Sequence, residues 1–348
     1  MVEELMISKD GGLGIITLNR PAAINALSRN MIDLIYATLS GWLADETIHA
    51  VLLEGAGTRG FCAGGDVRYV RASVLEEQFD AADAFFAHEY ALNKMIATSP
   101  KPIVALTHGV VMGGGIGLAG HAQIRVTTHD SKFGMPETAI GLMCDVGVNT
   151  LLSRASYAHA LAFSLSGLPV GAGDALALGL TDYVISTENF SKVRSVLVAA
   201  LSAGKISAVP GLLEGYLASP PAVAPMAELA LALKHCFEGE TVDEIVSAIA
   251  DMALGAAGNA EVKAFYDVLL MRCPTSMEVN LQSLRAAFHN GDISAVLAND
   301  LRLAPWMVRR ADFSEGVRAV LVDRDHAPRW VPANACDVDK EAISNLIK

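Results

Sequence analysis

Between Pro102 and Ile124 the chain carries no Asp, Glu, Lys or Arg. That is long enough to cross a bilayer as an apolar helix. The same stretch, however, holds Pro102, His108, His121, Gln123 and six glycines. A buried strand, a glycine turn and the start of a helix account for those residues better than a span does. Three of the glycines are adjacent, Gly113, Gly114 and Gly115. Without a Cβ a backbone can approach a ligand closely, and its N–H groups can face a developing negative charge. Downstream, Glu137 and Asp145 stand in an otherwise uncharged segment, and acids among apolar residues are the raw material of acid–base chemistry.

Around this centre the pattern alternates strands with helices. Leu13 to Asn19 reads as a buried strand rich in β-branched residues, stopped by Arg20-Pro21. Ser28 is placed to cap a helix over about 30–44, and Ala50 to Glu54 is a second strand. The loop after it runs into FCAGGDVR, residues 61–68. That segment is either a turn or a source of one main-chain N–H donor at Gly64 or Gly65. A polar-faced helix is expected over roughly 75–98, with Phe85, Leu92 and Ile96 on one stripe and Glu89 on the same line. A carboxylate on a core-facing line needs a partner, a wet face or a purpose. Strands follow at Ile103–Leu106 and about 123–127.

Beyond Glu188 the composition turns helical. A helix is expected over 191–204, then a Pro/Gly-containing linker from Val209 to Pro225, then helices over 226–237, 242–254, 261–271, 275–288 and 293–309. Asp312 and Glu315 are spaced as a capping box, and the segment ending at Trp330 closes the ordered part. The expected division is a core over 1–190 and a mostly helical region over 191–348. The residues from Gly115 to Gly120 also spell GxGxxG, with Asp130 where a ribose-binding acid could sit, a rival dinucleotide-binding reading. Two earlier strand–helix units weigh against it, because that fingerprint opens the first unit of its domain.

The bulk numbers narrow the function classes. With 348 residues, 52% of them hydrophobic, the chain can bury a large core. A net charge of −12 without a basic run argues against a general nucleic-acid binder or an anionic membrane surface. Five scattered cysteines and an acidic start with no apolar run suggest reduced thiols in a cytoplasmic protein. Cys62 and Cys144 read as packing residues. The nine histidines show no HExxH spacing and there is no GxSxG elbow, so neither a metal site nor a serine esterase is expected.

Three ordered motifs, FCAGGD at 61–66, MGGGIGLAGH at 112–121 and MPETAIGLMCDVG at 135–147, combine with LNRPAAINALSRNMI and SEGVRAVLVDRDHAPRW. Together they resemble the crotonase (enoyl-CoA hydratase/isomerase) superfamily over nearly the whole chain, and within it the 3-hydroxyisobutyryl-CoA hydrolases. The resemblance implies an α/β fold, a spiral of ββα units with an additional C-terminal helical region. It implies an oxyanion hole from the amides of Gly65 and Gly114, with Glu137 and Asp145 as catalytic acids and Glu89 against the acyl hydroxyl. Enoyl-CoA hydratases carry a second glutamate just after the triple glycine; here that position is Gly117. The resemblance therefore implies thioester hydrolysis, in valine catabolism, of an acyl-CoA substrate with no separate cofactor and no metal. A hydratase or isomerase using Glu137 alone, and a silent acyl-CoA binding protein, are the alternatives. CDVGV at 144–148 departs from the PDVGG usual in those hydrolases, which bears on substrate range. The helices after Pro225 either cover the site or make a homo-oligomer contact.

Overall fold

In the computed structural model, residues 3–219, 222–255 and 259–348 are described. Among them ten strands form two sheets. β1 (Leu5–Asp10) and β2 (Leu13–Leu18) make an antiparallel hairpin that turns at Gly11, φ +56°. β3 (Ala50–Gly55) then lies parallel to β2, with β4 (Gly60–Cys62) close behind it in sequence. β5 (Ile103–Leu106) is followed by β6 (Val110–Met112), and β7 (Ile124–Thr128) by β8 (Lys132–Gly134). β9 (Val170–Gly171) and β10 (Tyr183–Ile185) complete the set. The first sheet runs β1-β2-β3-β5-β7-β10 and the second β4-β6-β8-β9. Each turn of chain thus leaves one strand in the first sheet and the next in the second.

This strand order advances in one direction only. Doubly wound sheets bind dinucleotides where the order reverses, and neither sheet has such a reversal. Of the GxGxxG glycines, Gly115 and Gly117 fall on the six-residue helix Gly114–Ala119 and Gly120 caps its end, behind a three-residue strand of the second sheet. The uncharged stretch is resolved into β5, β6 and that helix, and no described helix is long and apolar enough to cross a membrane.

The chain divides into two compact units, each assembled from separated segments. The first contains 1–66, 88–133 and 170–224. Its core joins Leu13 and Ile15 of β2, Ala50 and Leu52 of β3, Val104 and Leu106 of β5 and Val126 of β7. The helix Phe190–Ser202 covers them with Val193, Leu197 and Leu201. Buried Glu54 ties sheet to helix: both its oxygens accept from Arg194, at 2.7 and 2.8 Å, and Oε1 also accepts from Thr17. The second unit contains 67–87, 134–169 and 225–348 and is helical. The helix Val242–Leu254 buries Val242, Ile245, Ile249 and Ala253, one helical stripe, and Pro274–His289 is buried on most sides.

Several expectations are corrected. The helix expected over 75–98 is two, Val67–Leu75 and Phe79–Ala97, separated where Glu77 takes φ +58°. The Asp312–Glu315 spacing is no capping box. The helix Ala311–Val317 begins before Asp312, its N-cap Arg310 makes no side-chain cap, and Asp312 instead accepts from the Val331 N–H at 2.7 Å. Order does not end near Trp330 either, since a short helix Lys340–Ser344 buries Ile343 completely. The expected linker holds a short helix, Val209–Leu213. Its Pro220 and Pro221 lie outside the described residues.

Candidate active site

In the first unit the FCAGGD and GGG segments leave the ends of neighbouring parallel strands, β4 and β6. Asn25 holds the first in place: its buried amide donates to the carbonyls of Ala56, Gly60 and Phe61. Leu27 and Gly65 form a parallel bridge, with Leu27 N–H donating to Gly64 at 2.8 Å and Asp66 N–H donating to Leu27 at 3.0 Å. The pairing uses the neighbours of Gly65, so the N–H of Gly65 itself faces the other way. Gly114 is the first residue of its helix, where an N–H has no intrahelical acceptor.

Gly114, Gly65 and Glu89 meet at one point. A Cβ on Gly114 would overlap Glu89 Oε1 and lie 3.3 Å from the Gly65 nitrogen. A Cβ on Gly64 would lie 3.6 Å from the Gly114 nitrogen. Only bare backbone fits here, and it brings two main-chain amides beside one carboxylate. Glu89 sits on the helix Phe79–Ala97 and is 3% exposed, in line with buried Phe85, Leu92 and Ile96. Two amides and a buried carboxylate are what an oxyanion and a neighbouring hydroxyl require.

In the second unit Glu137 occupies the 3-10 turn Pro136–Ala139, with Pro136 at its start. Its side chain is buried, and its carbonyl accepts from the N–H groups of Ile140 and Leu142, both at 3.0 Å. Gly141 follows at φ +69° against the Asp312 carbonyl, which ends the turn. Asp145 is 4% exposed. Val146 after it takes φ +53°, a strained conformation for a β-branched residue, and Gly147 takes +72°. Two helices hold this loop. Cys144 N–H donates to Asn280 Oδ1 and Gly147 N–H to Asp300 Oδ2, each at 2.8 Å. Asn280 in turn donates to the Ser164 carbonyl at 2.8 Å.

Asp300 is completely enclosed, and burial, reinforced by the nearby Asp145, pushes its carboxyl well above the ordinary range. Burial and the nearby Asp145 thus both favour its neutral form. Burial also raises the Cys144 thiol, with Glu137, Asp145 and Asp300 adding to the effect. The Cys62 thiol is pushed up to about 12. Neither is a nucleophile at neutral pH. Cys236 and Cys273 are buried as well, leaving Cys336 exposed. Among the described residues no three His, Cys, Asp or Glu side chains gather as metal ligands would.

The structure thus collects Gly65, Gly114 and Glu89 in one unit and Glu137 with Asp145 in the other. Asn280 and Asp300 escaped the sequence reading because they lie more than a hundred residues downstream on separate helices. Asp300 did leave one signal, an acid on the apolar stripe of Val296, Leu303 and Met307.

The profile of the enoyl-CoA hydratase/isomerase family matches residues 13–347. The chain belongs to this family. Human mitochondrial 3-hydroxyisobutyryl-CoA hydrolase is 35% identical, over 99% of this chain and 89% of the human one. The zebrafish (Danio rerio) enzyme of the same name is also 35% identical, over 98% and 88%. Among solved structures, a carnitinyl-CoA dehydratase from Mycobacterium thermoresistibile superposes with a TM-score of 0.90 at 33% identity, covering 99% of this chain and 96% of that one. An enoyl-CoA hydratase from Rhodobacter sphaeroides 2.4.1 gives 0.87 at 32%, covering 99% and 97%. The two-sheet spiral is therefore the crotonase fold of this family, followed by helices.

Proposed function

We propose that the chain hydrolyses short 3-hydroxyacyl-CoA thioesters, with 3-hydroxyisobutyryl-CoA as substrate and 3-hydroxyisobutyrate and free CoA as products. The observation that carries this reading is the 35% identity, across 99% of the chain, to hydrolases of that name. In the proposed reaction water adds to the thioester carbonyl, the C–S bond breaks, and the sulfur leaves with a proton as CoA. The carbonyl oxygen gains negative charge on the way. Amides of Gly65 and Gly114 would hold it, and one such donor contributes about 2.7–4 kcal/mol in other enzymes. Glu137 acts as base for the water, or attacks first to give an anhydride that water then opens. Asp145 orients the water, and Glu89 binds the 3-hydroxyl. Coenzyme A enters as part of the substrate, and the chemistry needs no further cofactor.

A second reading, hydration of an enoyl-CoA, is favoured by two structural neighbours over nearly their whole length, a carnitinyl-CoA dehydratase and an enoyl-CoA hydratase. It is the weaker one because Gly117, where the family's hydratases carry an acid, has no side chain. Hydration would then ask a lone Glu137 to deliver water and proton together. The place in valine degradation follows from the proposed substrate. All five cysteines are free, which supports a reducing compartment, and we place the protein in the cytoplasm; its named animal relatives are mitochondrial.

A panel of acyl-CoA esters separates the readings. Thiol release from 3-hydroxyisobutyryl-CoA is the expected result, and loss of the crotonyl-CoA double bond without thiol release overturns it. Glu137→Gln should lower the rate by about 10²–10⁴-fold, the usual range for a positioned proton-transfer group. Near-normal turnover in that variant removes Glu137 from the reaction.

A further inference from the structure

On the second unit an open pocket of about 850 Å³ is lined by Arg71, Arg309, Arg310, Arg318 and Arg329. That volume suits an organic ligand. Five guanidiniums on one cavity are unexpected in a chain of net charge −12. They come from three separate stretches: the helix Val67–Leu75, the residues around the helix Ala311–Val317, and the segment before Trp330.

Two of the five are neutralised. Arg318 forms a fork with Glu315 and reaches Asp323 and Asp325, all between 2.6 and 2.9 Å. Arg309 forms a fork with Asp83 and lies over the Phe79 ring. The other three have no such close carboxylate fork among the described residues, although Arg310 keeps a long contact to Asp312 and donates to the Val331 carbonyl at 3.4 Å. Arg71 donates its Nε to the Ser314 carbonyl at 2.8 Å, which fixes the side chain and leaves its terminal nitrogens available. Arg310 is stacked on Trp306, and its buried Nε has no hydrogen-bond acceptor. Its nearest carboxylate, Asp312, is 3.9 Å away and shifted by burial toward its neutral form. Arg329 donates its backbone N–H to Glu315, and no carboxylate among the described residues pairs with its side chain. Planar guanidinium forks match phosphate oxygens geometrically, whereas a close structural ion pair would have consumed them.

We propose that this cavity is a binding site for a phosphate-bearing organic anion, held by Arg71, Arg310 and Arg329. Exposed Leu75 supplies an apolar wall for the organic part. The helix Ala311–Val317, which flanks the pocket, packs at Gly316 on Ile140, three residues from Glu137. The anion has two available sources, the nucleotide end of the acyl-CoA substrate or a free phosphate compound. The first source alone rests on the proposed thioesterase reading.

The test is calorimetric titration of the full-length protein with adenosine 3′,5′-bisphosphate and with pyrophosphate, at low and moderate salt. The wild type should bind at least one of them, more weakly as salt rises. Arg329→Ala, whose side chain pairs with no carboxylate among the described residues, and Arg71→Ala/Arg329→Ala should each bind at least tenfold more weakly. No binding by the wild type at millimolar probe, or equal binding by both variants, overturns the site. The source is read from KM for the CoA ester against the pantetheine ester, which lacks the phosphates. A lost preference for the CoA ester in the variants assigns the cavity to the substrate's own nucleotide end. A retained preference with lost bisphosphate binding assigns it to a free phosphate compound. If neither ester is hydrolysed, the thioesterase reading fails while the titration still decides the site.

Discussion

At the scale of single residues, the site depends on what is missing at position 114. A methyl group there would occupy the space of Glu89 Oε1 and crowd the Gly65 amide. Gly114→Ala should therefore lower kcat by about 10²–10³, the usual loss when one oxyanion donor is displaced, while leaving the thermal midpoint within a few degrees of wild type. A kcat within threefold of wild type would remove these amides from the reaction. Asp300 makes the complementary case, a side chain that is present and pushed toward its neutral form. Below its ordinary value of 3.8 it is protonated whether the chain is folded or not. As pH rises past that value the unfolded chain ionises it and the folded chain does not, so stability falls with pH until the folded group also ionises. Asp300→Asn keeps an acceptor for the Gly147 N–H and removes that dependence. Urea titrations at pH 5 and pH 8 should show the variant losing less stability than wild type between the two. An equal or larger loss in the variant would mean that Asp300 is charged in the native state.

At the scale of elements, close packing overrides intrinsic preference. In a helix interior Ala is favoured over Gly by about 1 kcal/mol. Gly316 contradicts that expectation, since a Cβ would lie 2.5 Å from the Cα and carbonyl carbon of Ile140, backbone that cannot step aside. Gly316→Ala should thus destabilise by about 1–3 kcal/mol in chemical denaturation; a stabilised variant would refute the packing claim. The same contest explains what could be read from sequence. Buried strands such as β2 and β3, and helices with a clear apolar stripe such as Val242–Leu254, were legible because one face of each repeats at its own period. β1 escaped notice because only Leu5 of its six residues is buried, leaving no alternation to see. The break between Val67–Leu75 and Phe79–Ala97 hides in a good helix former, Glu77, that adopts a left-handed conformation. Asp312 and Glu315 have the spacing of a cap, yet tertiary partners claimed both: Val331 takes the first and Arg318 the second. Glu89, Glu137, Asp145 and the glycine clusters stood out because acids in apolar company and clustered glycines are locally odd, whereas the choice of Gly65 and Gly114 within those clusters came from the family resemblance. Asn280 and Asp300 act through folding partners that no local window contains.

For the whole molecule, the division into units has a consequence for cooperativity. The chain passes between the two units five times, and the helix Phe79–Ala97 belongs in part to each. Melting one unit would lengthen the loops that hold the other together and fray a shared helix. A variant with Trp306 and Trp330 replaced by Phe keeps Trp42, in the first unit, as its sole tryptophan, which can be excited selectively. Its fluorescence and its helical circular dichroism, contributed largely by the second unit, should lose signal at the same urea concentration. Two separated midpoints would show that the units unfold independently. The placement of the cysteines matters at this scale too. With four of the five sulfurs sealed inside the fold, a disulfide-exchange dye added to native enzyme meets a background of one reactive group per chain, at Cys336. Colour beyond that single equivalent then reports coenzyme set free by turnover, and the unmodified protein can be assayed continuously.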